Sequence, residues 1–201
     1  TYVTGVQTCA LPISFLALHR AHARGQERLA SLDAALDRPQ AALAPLPWEE
    51  VRDFFHYCDN YLDALDRAAE RFSGQAGFEG PDKLARGTDW LWRTHGVETR
   101  LADGPVRRYE AGARRLTLSE RAAPETRAFQ FAHQVALLAH DRLIEATLDL
   151  ARFRSDEARA IARIGLANYF AGAAVLPYGA FLAAAAELRH DLEALAGRFA
   201  C

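Results

Sequence analysis

The segment VETRLADGPVRRYEAGARRLTLSE, residues 97–120, runs on a different hydrophobic period from everything around it. Turn signals at ADGP and EAGA separate short runs carrying Val, Tyr, Thr and Leu, while the flanking stretches repeat their apolar residues at helical spacing. Such an order predicts a mainly α chain of α+β type, with helices around a small antiparallel β-sheet of two or three strands.

The helical stretches carry their own punctuation. PWEEVRDFFHYCDNYLDALDRAAERF puts Pro47 in a first turn and two glutamates, Glu49 and Glu50, near the positive helix end. Its apolar stripe is Val51, Phe54, Phe55, Cys58, Tyr61, Leu62, Leu65 and Phe72, a wide buried face on one helix. Cys58 lies within that stripe and reads as core rather than as a nucleophile. SGQAGFEGP is a Gly-rich loop, and DKLARGTDWLWRTHG a shorter helix ending at Gly96. Beyond the sheet, helices are expected over 124–151, from 155 to about 175 and from 178 onward. Ser155 caps the second, with Asp156 and Glu157 in its first turn, and Pro177 separates the last two. Upstream, Phe15, Leu18, His22, Gly25, Leu29, Leu32 and Leu36 alternate at helical spacing, as in a helix on its own domain or a short dimer seam. DRPQAALAPLP then reads as a linker.

Half of the 201 residues are apolar and a quarter charged, a globular composition. A net charge of −2 supplies no global field for nucleic acid, and 3 cysteines are too few for a disulfide framework. No apolar run approaches the roughly 20 residues of a membrane span, so a cytoplasmic location is expected. Val3 to Ile13, VTGVQTCALPI, resembles the in-frame translation of a short-read sequencing adapter. The chain has no Met and stops within the helical run LRHDLEALAGRFA, so it is expected to be an internal fragment.

RAFQFAHQVALLAH, residues 127–140, has the rhythm of a zinc-peptidase helix. A zincin sets two His at i and i+4, with a Glu between them to handle the proton of the metal-bound water. Starting from His133, the Glu position holds Gln134 and the second ligand position Leu137. His140 cannot substitute, because a separation of roughly 10 Å along the axis is too great for two imidazoles on one ion. Gln134 does not titrate in the useful range and cannot act as a base.

FQFAHQVALLAH and LANYFAGAAVLPYGAF together resemble the two signature helices of the ImmA/IrrE metallopeptidase domain. Ala167, Asn168, Phe170, Ala171 and Pro177 match the second signature, but Leu166 stands where the acidic third ligand belongs. The segment LPWEEVRDFFHYCDNYLDALDRAAE adds a similarity to bacterial short-chain fatty acyl transcriptional regulators of the XRE type. That resemblance implies a zincin-like fold with a degenerate active site, and an order of adapter artefact (1–14), helical connector and Pro-rich linker (15–46), ImmA/IrrE-like sensor domain (47–188) and the start of a C-terminal region (189–201). It further implies control of short-chain acyl metabolism, such as propionate or acetate use, with an acyl-CoA effector. DNA contact would come only through a helix-turn-helix upstream, and a homodimer without membrane attachment is expected.

Replacing ligands by Leu137 and Leu166 makes the former metal cavity apolar. It suits a short acyl chain, with His133, Gln134, Asn168, Tyr169 and Tyr178 as polar walls; alternatively the leucines fill it as core. Arg107, Arg108, Arg114 and Arg115 are expected close together on the last hairpin, either guarding a strand edge or taking CoA phosphates. No catalytic residue, metal ligand set or cofactor is expected. The competing functions are a purely structural dimerisation module and an active zinc metallopeptidase.

Overall fold

A computed structural model describes residues 46–199. The apolar seam, almost all of the linker and the adapter-like start lie outside the described residues. Eight helices and three strands follow one another: α1 (Pro47–Tyr57), α2 (Asp63–Ala76), α3 (Lys83–His95), β1 (Glu98–Ala102), β2 (Arg107–Glu110), β3 (Arg115–Ser119), α4 (Pro124–Ala139), α5 (Asp141–Ala151), α6 (Asp156–Val175), α7 (Tyr178–Glu187) and α8 (Leu192–Phe199). The mainly α fold around a small sheet is as expected.

The sheet itself is mixed, not antiparallel. Its order is β1-β3-β2, with β1 parallel to β3 and β2 antiparallel to it. Burial explains the placement. Leu116 and Leu118 are wholly buried, so RLTLS takes the centre, while the charged ETRLA and RRYE serve as edges. The register sorts side chains onto two faces. Thr99, Leu116 and Tyr109 form one row, and Leu101, Leu118 and Arg107 the next, on the face shared with the buried leucines. Glu98, Arg115 and Glu110, with Arg100, Thr117 and Arg108, occupy the opposite face.

The single helix expected from Pro47 to Phe72 is two. Asp59 and Asn60 take left-handed backbone (φ 51° and 55°), a conformation their short polar side chains tolerate better than most. The break carries Tyr61 out of the buried stripe to 45 % exposure, and Cys58 is half-buried. In return α2 runs through Ser73 and Gly74, residues expected in a loop, and ends at Gly77 (φ 61°). The buried Ser73 hydroxyl donates to the Ala174 carbonyl at 2.7 Å, on the last turn of α6. Phe78, just past the end of α2, is fully buried.

The expected 124–151 helix also divides, at His140. Its carbonyl accepts from Leu143 and Ile144 and starts α5, while its N–H closes α4 on Ala136. The imidazole packs on Phe170, centroids 4.6 Å apart. Ser155 caps α6 as expected, accepting from the Ala158 N–H at 3.1 Å. A third break, at Arg189 and His190 (φ 52° and 63°), separates α7 from α8.

Helix α6 is the hub, touching α1, α2, α4 and α5. Phe72 of α2 meets Phe78, Trp90 of α3 and Phe170 of α6 at centroid distances of 5.2, 5.0 and 5.9 Å, and Phe78 stacks on Phe131 of α4 at 5.7 Å. Burial of such rings is the main stabilising contribution, about 25 cal/mol per Å² of apolar surface removed from water. The core thus fixes α4 and α6 side by side, with the inner face of the sheet against α4.

Candidate functional site

Helix α4 is buried almost all round from Phe131 to Ala136 because the sheet lies on one side and α6 on the other. A polar side chain there must find a partner or keep a route to water. His133, 4 % exposed, finds one: its Nδ1 lies 2.8 Å from Asn168 Oδ1 on α6. An amide carbonyl only accepts, so Nδ1 carries the proton and Nε2 is left as the acceptor nitrogen. Burial holds the His133 pKa below the usual imidazole range; Arg107 adds to the depression, and the Asn168 bond opposes it. The ring is therefore neutral at physiological pH.

Arg107 reaches this place from β2. It lies in the antiparallel pair with the buried Leu118 and shares that residue's face, which turns its guanidinium under α4. Its Nη1 is buried and meets no hydrogen-bond acceptor, and burial lowers its pKa. Arg108 points the other way, loosely placed 3.9 Å from Glu110. Arg115 sits 3.3 Å from Glu98 on that same outer face. Arg114 occupies the hairpin turn with φ 47°, near the α3 terminus, where burial and then the Arg114 charge lower the pKa of His95. The four arginines expected together are thus dispersed by strand alternation.

The other expected site residues also divide. Gln134 is buried one position beyond His133. Leu137 is partly buried against the core, and Leu166 has no accessible surface at all, so at Leu166 packing leaves a ligand nothing to touch. Tyr169 faces away from His133: its hydroxyl accepts from the Leu62 N–H at 3.1 Å and donates to Asp66 at 3.4 Å, tying down the start of α2. Tyr178 is 57 % exposed beside Tyr61. The structure gathers His133, Asn168 and Arg107, and it separates Tyr169, Tyr178, Arg108, Arg114 and Arg115 from them.

Among the described residues no group of three His, Cys, Asp or Glu is gathered that could hold a metal ion.

Two features escaped the sequence reading. Lys83, the only lysine in the chain, is 4 % exposed and donates to the Phe199 carbonyl at 2.5 Å. It lines a recess of about 330 Å³ with Glu79, Pro177 and Arg198. An apolar groove of about 650 Å³ runs between α1 and α5, lined by Phe54, Tyr57, Cys58, Leu150 and Phe153. Burial and Asp59 push the Cys58 thiol above its usual range, the opposite of what activates a nucleophile. Nothing in the local pattern flags either feature, because both are made by residues distant in sequence. No single helix among the described residues is long and apolar enough to cross a membrane.

Comparison with known proteins places this arrangement. The chain is 59% identical over 186 residues to a propionyl-CoA carboxylase regulator of Cereibacter sphaeroides, a match covering 92% of the chain and 40% of the relative. It is 38% identical over 194 residues to the HTH-type transcriptional regulator PrpR of Mycobacterium tuberculosis, again covering 92% of the chain and 40% of the relative. For the HTH-type transcriptional regulator RamB of M. tuberculosis the identity is 40% over 154 residues, covering 75% of the chain and 32% of the relative. The chain therefore spans about two fifths or less of the length of these relatives. A solved M. tuberculosis transcriptional regulator superposes with a TM-score of 0.73 at 39% identity, over 78% of this chain and 48% of that one. The model of the IrrE N-terminal-like domain matches residues 94–200, from the end of α3 through α8, and the chain belongs to that family.

Proposed function

We propose that this chain is the effector-sensing segment of a transcription regulator of short-chain acyl metabolism, and that it carries out no catalysis. The observation that carries the reading is chemical: the fold keeps the two signature helices in contact, yet the base position is Gln134 and two ligand positions are Leu137 and Leu166. What remains is a neutral His133 held by Asn168 beside an inward-turned arginine, a set suited to recognising a polar group next to an apolar chain. The names of the relatives support the same direction: all three are called regulators, and one of the three a propionyl-CoA carboxylase regulator. An acyl-CoA is the proposed effector, a homodimer the proposed assembly, and DNA is reached through a separate helix-turn-helix.

Calorimetric titration of the chain with acetyl-, propionyl- and butyryl-CoA tests this. Saturable binding is expected, weakened roughly tenfold or more by Asn168→Leu, which strips His133 of its partner. Stoichiometric zinc together with chelator-sensitive peptide cleavage would sink the reading. The enclosed side chain of Leu166 favours a second one, a dimerisation module that binds no small molecule; dimers in sedimentation analysis with no heat from any thioester would establish it.

A further inference from the structure

Arg107 is the feature that effector binding in general does not explain. A cation brought out of water is costly unless an anion or a set of acceptors meets it. Three other arginines of the sheet region follow this rule: Arg100 and Arg115 pair with Glu98, and Arg121 with Asp103. Arg107 alone on the inner face turns Nη1 into the interior, where no oxygen meets it. No carboxylate appears among the influences on its ionisation, which burial alone displaces. Its neighbour in the site supplies no negative charge either, since His133 is neutral. The site therefore has a guanidinium nitrogen without an acceptor beside an uncharged imidazole.

Building on the effector reading above, we propose that Arg107 receives the carboxylate of an effector whose short acyl group ends in an acid, so that this arginine selects carboxylated over plain acyl thioesters. A guanidinium offers a planar fork of donors that matches a carboxylate, and such charge-assisted bonds are about twice as strong as neutral ones. A phosphate is a poorer occupant. It carries more charge than one half-buried arginine answers, and Arg108 and Arg115, which could share it, project from the other face of the sheet.

The test uses an isosteric pair. Malonyl-CoA differs from propionyl-CoA in having a carboxylate where propionyl has its terminal methyl, and unacylated CoA supplies the phosphates without either. The chain is titrated with each by calorimetry. Malonyl-CoA is expected to bind at least roughly tenfold tighter than propionyl-CoA, the gain of one charge-assisted hydrogen bond. Arg107→Gln removes that difference, bringing malonyl-CoA down to the affinity of propionyl-CoA for the same variant. Equal affinity for the two thioesters, or binding of propionyl-CoA alone, overturns the proposal and leaves the effector reading standing. So does a malonyl preference that survives in folded Arg107→Gln protein. CoA binding as tightly as malonyl-CoA, with loss in the variant, would assign the arginine to phosphate instead. Absence of binding by all three overturns both readings. If circular dichroism shows Arg107→Gln unfolded, the ratio of the two thioesters on the unaltered chain decides, since it needs no variant.

Discussion

Gly87, in the middle of α3, offers a sharp test of the aromatic core. A Cβ added there would stand 2.7 Å from Phe131 Cε1, 2.7 Å from Phe78 Cδ2 and 2.9 Å from Phe78 Cε2. Ordinary carbon contacts begin near 3.5 Å, so both rings must retreat by roughly 0.8 Å. Neither has space: Phe78 is 1 % and Phe131 0 % exposed, and they stack on each other at 5.7 Å. Overpacking of this kind costs about 1–3 kcal/mol. Against it stands the helix preference of alanine over glycine, about 1 kcal/mol. The net expectation for Gly87→Ala is a loss of about 0–2 kcal/mol, or up to roughly 8 °C in Tm for a domain of this size. Gly74 is the internal control. It lies in α2 with nothing within 4 Å of its added Cβ, so Gly74→Ala is expected to stabilise by about 0.5–1 kcal/mol. Thermal and urea unfolding followed by circular dichroism measure both. Gly87→Ala melting at or above the temperature of Gly74→Ala would refute the packing argument.

Three further outcomes are expected. Burial first, then Arg71 and His95, lower the His140 pKa to about 4; a group depressed in the folded state takes its proton sooner when unfolded, so stability falls as pH drops from about 6.5 toward 4, by on the order of 3 kcal/mol. Urea midpoints across that range show the slope, and His140→Leu flattens it; an unchanged slope would reject His140 as the source. Ser73→Ala leaves the Ala174 carbonyl without its buried donor, costing about 1–3 kcal/mol in urea unfolding; no loss would mean that the bond contributes nothing. Burial and then Glu70 raise the Asp66 pKa, so the folded state loses stability as pH rises through that raised value. Asp66→Asn should therefore be more stable than the parent at neutral pH, with the advantage vanishing in acid; equal midpoints at pH 7 would contradict it.

Element types were legible from local pattern, and joints were not. The 97–120 segment revealed strands through its period, and Ser155, Gly96 and Pro177 marked ends correctly because each acts through its own backbone. The breaks at Asp59–Asn60 and at His140 lack Pro or Gly. They are set by tertiary contacts: Tyr169 holding Leu62, and Phe170 packing on His140. Strand pairing was missed for a similar reason, since the burial of Leu116 and Leu118 that centres β3 depends on α4. In the site, His133 and Asn168 could be named from their signature helices, but their bond joins residues 35 apart in sequence. The separation of Arg107 from Arg108 follows from strand alternation alone and was readable in principle.

The position of α6 also shapes how the chain comes into being. Its partners α1, α2, α4 and α5 all precede it, and the bonds from Leu62 to Tyr169 and from Ser73 to Ala174 span 107 and 101 residues. Ribosomes deliver roughly 5–20 residues per second, so the greasy sides of the early helices wait several seconds in the cell before the segment that covers them emerges. Nascent chains of this kind are natural clients of ribosome-associated chaperones, and slowed translation ahead of Asp156 lengthens their vulnerable interval.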